Sequence, residues 1–347
     1  MNLPFSMGIR LRPTYARLGL AAMLWCVANV AFAQTNATEP LVLSSLMEDG
    51  VLGAEPIEQA SAAQRILRDV QPAAIWDLPA ADRYVLLAEL DAGKLRVFEQ
   101  LPGMNLQEVR SFPISIGKQG YGKTVEGDLR TPVGIYRITS TLTDEQLDDF
   151  YGRAAYPLNY PNVWDRLNQY TGSGIWLHGE ASDKKMRPPR DSDGCIVLSN
   201  NAIQEIADYL QPGYTKVVTV PSIDWVSPQQ ILDARGQLKT AIDGWLTAWR
   251  SREHDDYIDY YARDFSDTEK NFQQWDVYKR RVNGAKRFID VRLSDLGLYA
   301  YPGQENLVMA EFYQNYRSDS FRSRGWKRQL WRLDADGQWR ILFERGG

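Results

Sequence analysis

The sequence predicts a mainly β domain that follows a helical lead-in and precedes an α+β domain. Three observations predict this order. Residues 34–81 carry apolar residues at helical spacing, residues 82–222 hold short β-rich runs between turns, and residues 231–347 pass from helical spacing to long alternating runs. With 347 residues, of which 44% are hydrophobic, the chain is long enough for two domains with separate cores.

Residues 1–33 have the features of a secretory signal peptide. Three arginines precede an apolar run over residues 18–32, and the run ends in the small-x-small pattern Ala31-Phe32-Ala33. We therefore expect cleavage after Ala33 and a mature protein in the periplasm. An uncleaved membrane anchor is the alternative, although the run is shorter than the roughly 20 apolar residues that a spanning helix needs.

Each later segment has its own pattern. The run "YVLLAELDAGKLRVFEQ" holds two β-rich stretches around an Asp-Ala-Gly turn, which is typical of a hairpin. In the last segment, Leu238, Ile242, Trp245 and Trp249 lie on one helical face. The runs "KRQLWRL" and "QWRILFE" then flank an Asp-Gly turn, so we expect a curved sheet packed on helices.

Charge and loop composition exclude two classes of partner. The net charge of −4 provides no overall basic field, so we expect no nucleic acid. The stretch "GKQGYGKT", residues 117–124, matches the nucleotide pattern G-x-x-x-x-G-K-[ST]. Gly127, Pro132 and Gly134 oppose the helix that phosphate binding requires after this pattern, so we expect no nucleotide and no cofactor.

Cys195 would be the only cysteine of the exported chain, because Cys26 lies in the signal peptide. A single cysteine forms no internal disulfide, so the thiol is either buried or used. Of the two histidines, His254 lies in the charged stretch "SREHDDY" and is expected at the surface. His178 ends the apolar run "SGIWLH", and a charged loop leads from it to Cys195.

If these two apolar runs are neighbours, His178 and Cys195 meet. The imidazole would take the thiol proton and return it to a leaving amine, and a catalytic thiol would have a lowered pKa. The carbonyl of Gly179 would orient the ring, and the N–H groups of Gly194 and Cys195 would form an oxyanion site. A buried structural cysteine and a zinc-ligand pair are the alternatives; zinc would need carboxylates to complete its ligands, so we expect no metal.

The residues around Cys195 resemble the L,D-transpeptidase catalytic domain of the YkuD type. The shared features are "HG", a charged loop, "S-x-G-C", an apolar strand and Asn, together with "GDLRTPVGIY", which resembles the family's T-P-x-G-x-Y segment. The resemblance covers residues 82–222 and implies a β-sandwich with the cysteine at one end of a cleft. It also implies attack on the diaminopimelate–D-alanine bond of peptidoglycan tetrapeptide stems, giving a thioester that water or an amine resolves.

Position by position, the resemblance implies that Cys195 is the nucleophile and that His178 is the base. It also implies that the Gly179 carbonyl orients this base, and it matches Ser192 and Gly194 to the rest of the cysteine motif. Asp193 is a departure, because the family most often has histidine there. A carboxylate beside the thiol would raise the thiol pKa through like-charge repulsion. His178 is therefore the only plausible base.

The whole chain resembles the cell-shape L,D-carboxypeptidases, whose C-terminal domain is nuclear-transport-factor-2-like (NTF2-like). Those proteins trim a tetrapeptide stem to a tripeptide with water as acceptor. The first alternative is an L,D-transpeptidase that forms 3–3 cross-links or attaches an amine-bearing protein. The second is a non-catalytic cell-wall-binding module. In each case the partner is peptidoglycan, and the sequence does not predict the oligomeric state.

Other side chains are candidates for contact with the substrate, whose stem carries carboxylates that suit cationic side chains. They lie in the loop before Cys195, in the Gly-rich loop formed by residues 117–124 and in "YPLNYPN": Arg187, Arg190, Ser192, Lys123, Tyr121 and Tyr156. The alternative is a solvated loop without substrate contact and structural roles for the others.

Overall fold

A computed structural model describes residues 70–101, 105–181 and 187–346. The predicted signal peptide and residues 34–69 of the lead-in lie outside the described residues. The described end of the lead-in is not helical: β1 (Gln71–Pro72) pairs with β13 (Trp225–Val226). Pro72 and Pro79 oppose a helix here, and Ile75 and Leu78 are instead buried. The prediction of helix up to residue 81 is therefore wrong for this stretch.

Two facing sheets form the domain that follows. The larger contains β2 (Tyr84–Glu89), β3 (Lys94–Gln100), β4 (Leu106–Pro113), β6 (Gly134–Arg137) and β12 (Lys216–Val220), in the order β4-β3-β2-β12-β6. The smaller contains β7 (Leu142–Thr143), β8 (Ala154–Pro157), β9 (Trp176–His178) and β11 (Ile196–Val197), in the order β11-β9-β8-β7. Strands β5 (Ile116–Gly117) and β10 (Arg190–Ser192) pair separately, and the short helices are α1 (Val163–Leu167) and α2 (Asn200–Glu205).

Strands β2, β6 and β12 of the larger sheet are buried on both faces, which explains why they are largely apolar, whereas the edge strand β4 is mostly exposed. In β2, Leu86 and Ala88 belong to the core shared with the smaller sheet, whereas Val85 and Leu87 belong to a core shared with the C-terminal domain. Successive side chains of a strand point to opposite faces. A strand covered on both faces is therefore apolar at most positions.

The C-terminal domain packs helices on a five-stranded sheet. Its helices are α3 (Pro228–Ser251), α4 (His254–Ile258) and α5 (Phe272–Gly284), and its strands are β14 (Tyr261–Ser266), β15 (Ile289–Ala300), β16 (Leu307–Ser318), β17 (Arg322–Leu333) and β18 (Trp339–Gly346). The strand order is β14-β18-β17-β16-β15. Helix α3 starts at a capping box between Ser227 and Gln230, and its buried face includes Leu238 and Trp245. The predicted mainly β domain followed by an α+β domain is confirmed. None of the helices in the described ranges is long and apolar enough to cross a bilayer.

Ion pairs join the two domains beside their shared apolar core. The Lys216 Nζ on β12 lies 2.9 Å from the Glu311 Oε2 on β16 and 3.7 Å from the Asp82 Oδ2. The Arg328 Nη2 lies 3.1 Å from the Glu311 Oε1. Burial opposes ionisation of Glu311, yet Lys216 and Arg328 hold the pKa of its carboxyl below the ordinary value. The buried carboxylate is therefore charged and paired.

Candidate active site

Strand register brings His178 and Cys195 to the same part of the smaller sheet. Strand β11 runs parallel to β9, with Ile196 opposite Leu177 and Val197 opposite His178. Continuing this register by one residue puts Cys195 beside Trp176, two positions before His178. Alternate residues share one face of a sheet, and diagonal neighbours of this kind are about 7–8 Å apart at Cα. The prediction that the two apolar runs are neighbouring elements is therefore met.

Hydrogen bonds from Ser192 fix the turn before Cys195. The Ser192 Oγ donates to the Cys195 carbonyl at 2.6 Å and accepts from the Gly194 N–H at 3.2 Å. Gly194 has φ of 129°, and a Cβ there would lie 2.7 Å from the Arg130 carbonyl oxygen. Only glycine fits this position. Ser192 is buried and committed to the backbone, so it positions the cysteine turn and does not line the cleft as predicted.

The predicted oxyanion donors differ in availability. The Gly194 N–H already donates to Ser192, so it does not serve as the predicted donor in this state. The Cys195 N–H has no hydrogen-bond acceptor among the residues that the structure describes. Only the Cys195 half of the predicted oxyanion site is therefore free to bind a developing negative charge.

Backbone carbonyls hold the His178 imidazole. Its Nδ1 lies 2.6 Å from the Gly179 carbonyl oxygen, as the sequence predicted, and the Tyr151 backbone carbonyl is close enough to affect the pKa of the ring. Burial lowers the pKa of His178 to about 4, although both carbonyls act to raise it. The ring is 1% exposed and neutral at pH 7. In the tautomer that donates from Nδ1, the Nε2 lone pair is left to accept a proton.

The Cys195 thiol is also neutral. Burial raises its pKa above the ordinary value of 9.0, Asp193 adds to the rise, and the Trp176 backbone N–H lowers it. The expected like-charge effect of Asp193 is thus present but secondary to burial. The Sγ lies 3.4 Å from the Gly174 carbonyl oxygen. Within the described ranges no hydrogen bond joins this sulfur to the imidazole, so the lowered thiol pKa expected of a catalytic cysteine is not found in this state.

Aromatic rings that the sequence did not single out enclose His178. The ring centroids of Phe150 and Tyr151 lie 6.1 Å and 5.2 Å from that of His178, and Tyr151 lies 4.8 Å from Trp176. Phe150 is 54% exposed and lies at the surface above the imidazole. No periodicity or motif marks these rings, because a short 3-10 turn over Asp149–Tyr151 brings them to the site.

Arg187 and Arg190 have different surroundings. The Arg187 side chain is 7% exposed, and its Nε lies 3.5 Å from the Asp191 Oδ2. Its Nε and Nη1 have no hydrogen-bond partner among the described residues. The guanidinium stacks 5.8 Å from the Phe150 ring, and its charge lowers the pKa of both His178 and Cys195. Arg190 is exposed.

The Gly-rich loop is held by its own contacts. The Lys123 Nζ lies 2.8 Å from the Asp128 Oδ1, and the Tyr121 hydroxyl donates to the Asp91 Oδ2 at 3.1 Å. Both predicted substrate contacts therefore have structural partners, although the Lys123 charge still lowers the pKa of Cys195. No helix begins in the described residues 125–133, so the phosphate-binding geometry is not formed there.

Tyr156 lies in the core, and the prediction that it contacts the substrate in the cleft is wrong. On β8, Ala155 is opposite His178 and Tyr156 is opposite Leu177. Because successive residues point to opposite faces, Tyr156 faces away from the imidazole. It is buried in the core between the two sheets, where burial raises the pKa of its phenol.

The second histidine lies outside this site. His254 begins α4, and its Nε2 lies 2.5 Å from the Asp276 Oδ1. The expectation of a solvated surface histidine is wrong, because its side chain is 10% exposed. In the part of the chain that the structure describes, no group of three His, Cys, Asp or Glu side chains is arranged to hold a metal ion.

Comparison with known proteins assigns both domains. Residues 84–219 match the family described as the L,D-transpeptidase catalytic domain, YkuD, and residues 237–345 match the Cds6 C-terminal NTF2-like domain. Among proteins of known sequence, YafK of Escherichia coli K12, assigned as an L,D-transpeptidase, is 28% identical over 109 residues. That match spans 31% of this chain and 39% of YafK, so it extends over about two-fifths of that relative.

Two solved structures are similar over both domains. Bd1075 of Bdellovibrio bacteriovorus has a TM-score of 0.69 and 28% identity, and the match covers 80% of this chain and 98% of that one. The helical cell shape determining protein Pgp2 of Campylobacter jejuni has a TM-score of 0.67 and 26% identity, with 79% and 95% covered. The chain thus joins a YkuD-type L,D-transpeptidase catalytic domain to a C-terminal NTF2-like domain.

Proposed function

We propose that this protein modifies peptidoglycan as an L,D-carboxypeptidase, acting through a Cys195 thioester in the periplasm. The observation that carries the proposal is the parallel register of β9 and β11, which puts a partly exposed thiol just before β11 diagonally across from a carbonyl-oriented neutral imidazole on β9. The L,D-transpeptidase catalytic domain supports the substrate class. The proposed substrate is the tetrapeptide stem, and the proposed products are the tripeptide stem and free D-alanine.

Both reacting groups are neutral, which supports general-base attack and not attack by a preformed thiolate. In the first step the Cys195 sulfur bonds to the diaminopimelate carbonyl carbon while His178 accepts the thiol proton. A rotation of the thiol away from the Gly174 carbonyl accompanies this step. The Cys195 N–H stabilises the oxyanion. The protonated imidazole then donates its proton to the D-alanine nitrogen as the carbon–nitrogen bond breaks, leaving the thioester.

The second step releases the tripeptide. His178 is neutral again and accepts a proton from a water molecule that attacks the thioester carbonyl. The carbon–sulfur bond breaks, the imidazole returns the proton to sulfur, and the tripeptide leaves with a new carboxyl group, which releases its proton to solvent. Water as acceptor is what the resemblance of the whole chain to the cell-shape L,D-carboxypeptidases implies, and the chain is similar over both domains to Pgp2, a helical cell shape determining protein. This likeness also supports a role in cell shape.

Arg187 is the residue that we propose for contact with a substrate carboxylate. Of the two cations that lower the pKa of Cys195, Lys123 is paired with Asp128 at 2.8 Å. Arg187 lies 3.5 Å from Asp191, and its Nε and Nη1 have no hydrogen bond to any residue that the structure describes. Hydrogen bonds between charged groups are roughly twice as strong as neutral ones. Arg187→Gln is therefore expected to raise KM for the tetrapeptide.

Incubation of the purified protein with defined muropeptides tests the proposal. Tetrapeptide stems should be converted to tripeptides with one D-alanine released for each, and Cys195→Ala should abolish the conversion. Formation of 3–3 cross-linked dimers, or attachment of an added amine in place of hydrolysis, would identify an L,D-transpeptidase instead. Binding of peptidoglycan without any product from wild type would favour the non-catalytic wall-binding module.

A further inference from the structure

One amide side chain ties together the two segments that hold the His178 ring. Asn200 is the first residue of α2, whose N-cap Ser199 accepts a hydrogen bond from Ala202 N–H at 3.3 Å. The Asn200 Oδ1 accepts from the Arg153 N–H at 3.0 Å, and its Nδ2 donates to the Glu180 carbonyl at 2.8 Å. Both polar atoms of the amide are therefore committed to backbone.

These two segments supply the two carbonyls at the imidazole. The segment before Arg153 carries Tyr151, whose ring centroid lies 5.2 Å from that of His178 and whose carbonyl raises the pKa of the imidazole. The segment before Glu180 carries the Gly179 carbonyl, which lies 2.6 Å from the His178 Nδ1. The Asn200 amide lies between them and links them through both of its ends. A change at Asn200 therefore reaches the ring from two sides without touching it directly.

Two glycines make room for this amide. A Cβ at Gly152 would lie 2.2 Å from the Asn200 Oδ1, and a Cβ at Gly179 would lie 2.4 Å from the same atom. Both distances are too short for any side chain. Gly179 thus has two functions: it presents its carbonyl to His178 and leaves space for the amide that fixes that carbonyl.

We propose that Asn200 is a positioning residue that sets the tautomer and orientation of the His178 imidazole by clamping the Tyr151 and Gly179 segments. The inference rests on the proposed role of His178 as the base. A base must present the correct lone pair to the thiol, and the hydrogen bond at the opposite ring nitrogen decides which lone pair is free. Asn200 acts on the reaction only through this hydrogen bond.

Imidazole nuclear magnetic resonance tests the inference in the resting protein. The chain has two histidines, so nitrogen-15 spectra of the full-length protein contain two rings, and His254→Gln assigns them. Wild type should show His178 as the Nδ1–H tautomer from pH 5 to pH 8. In Asn200→Ala the Nε2–H tautomer should become populated. The pKa of His178 should rise from about 4 by about one pH unit, because a loosened cover admits water.

A matched substitution at another asparagine controls for the loss of a side-chain–backbone hydrogen bond. The Asn168 Nδ2 donates to the Trp164 carbonyl at 2.8 Å, away from His178, and Asn168→Ala should leave the imidazole spectrum unchanged. Asn200→Asp keeps the acceptor for Arg153 but loses the donor to Glu180. It should therefore disturb the Gly179 carbonyl selectively, and it serves as the second variant if Asn200→Ala does not fold.

Kinetics separate positioning from plain structural support. If the proposed function holds, kcat for D-alanine release should fall about 10- to 100-fold in Asn200→Ala with KM almost unchanged, as expected for a misplaced base. Folded Asn200 variants with a wild-type tautomer and wild-type pKa of His178 would overturn the inference. If the tautomer or the pKa of His178 changes in the Asn200 variants but the wild-type protein releases no D-alanine, the proposed function is overturned. The positioning role of Asn200 is then still supported.

Discussion

The domain interface and the active site both bury polar groups, but they do so in opposite ways. At the interface, Glu311 stays charged because Lys216 and Arg328 contact its carboxylate. At the candidate active site, His178 is buried and Cys195 is partly buried, their hydrogen-bond partners are neutral backbone groups, and burial shifts both pKa values towards the uncharged form. The paired charges around Glu311 hold the two domains together. The uncharged His178 and Cys195 can instead exchange a proton.

This difference separates stability from catalysis. Removing one partner of a buried ion pair leaves an uncompensated charge and costs folding free energy. Removing a neutral base creates no unpaired charge in the folded protein, but it removes the proton acceptor. The comparison therefore predicts that interface substitutions change stability at constant turnover, and that site substitutions change turnover at nearly constant stability.

The largest expected effect is on the rate of the His178 variant. His178→Gln should lower D-alanine release from tetrapeptide by about 10²- to 10⁴-fold, because a positioned general base contributes that factor. The measurement is kcat/KM by D-alanine quantification, with thermal unfolding in parallel. His254→Gln is the matched control and should keep full activity, because the His254 ring lies in the C-terminal domain, where it is hydrogen-bonded to Asp276. Retention of more than about a tenth of the wild-type rate in His178→Gln would break the comparison.

The next largest effect is at the interface. Glu311→Gln should lower the free energy of unfolding by about 3–5 kcal/mol, because Lys216 and Arg328 lose the carboxylate that they share. Denaturant titration measures this. The control is Glu99→Gln, which removes a surface pair with the exposed Arg83 and should cost less than about 1 kcal/mol. Turnover per folded molecule should stay at the wild-type value in both, and a loss of turnover without loss of stability would contradict the separation.

The pH dependence of stability reports the buried imidazole directly. The pKa of His178 is lowered to about 4 in the folded state from an ordinary 6.5, so the unfolded chain takes up the proton first as pH falls. Its contribution is complete above pH 6.5 and is lost as pH falls to about 4, by about 3 kcal/mol in total.

A variant isolates this contribution from others in the same range. Asp165 has a pKa raised by burial to about 6, so its contribution is lost as pH rises and opposes that of His178. The difference in pH dependence between wild type and His178→Asn removes the Asp165 effect. Parallel curves for the two proteins from pH 4 to pH 6.5 would contradict a neutral buried imidazole.

The smallest expected effect is at Asp193. Asp193→Asn should lower the pKa of Cys195 by less than about one pH unit, because burial is the main cause of the raised value and Asp193 is exposed. The pH dependence of alkylation by iodoacetamide measures this, with Asp144→Asn as a surface control. A larger fall than this would make like-charge repulsion, and not burial, the main reason that the thiol is neutral.

The sequence predicted those parts of the site that depend on local pattern. His178 and Gly179 follow an apolar strand, and Gly194 and Cys195 form a turn in which only glycine fits, so motif and periodicity were sufficient for them. The two-domain architecture followed from the change between strand-like and helical spacing.

Tertiary contacts explain what the sequence did not show. Lys123 and Tyr121 have partners, Asp128 and Asp91, that no spacing rule connects with a cleft. Tyr156 was misplaced because only the register of β8 against β9 decides which face it occupies. The pKa values of His178 and Cys195 depend on burial by distant segments, so the sequence predicted a lowered pKa for the thiol where the fold raises it.

Acyl-enzyme trapping tests the central claim most directly. The protein is mixed with tetrapeptide, quenched in acid during turnover, and examined by intact mass and peptide mapping. The account predicts a tripeptidyl group on the peptide that contains Cys195, formed together with free D-alanine and missing in Cys195→Ala. Release of D-alanine at the wild-type rate by Cys195→Ala, with no acyl group on any peptide of the wild type, would contradict it.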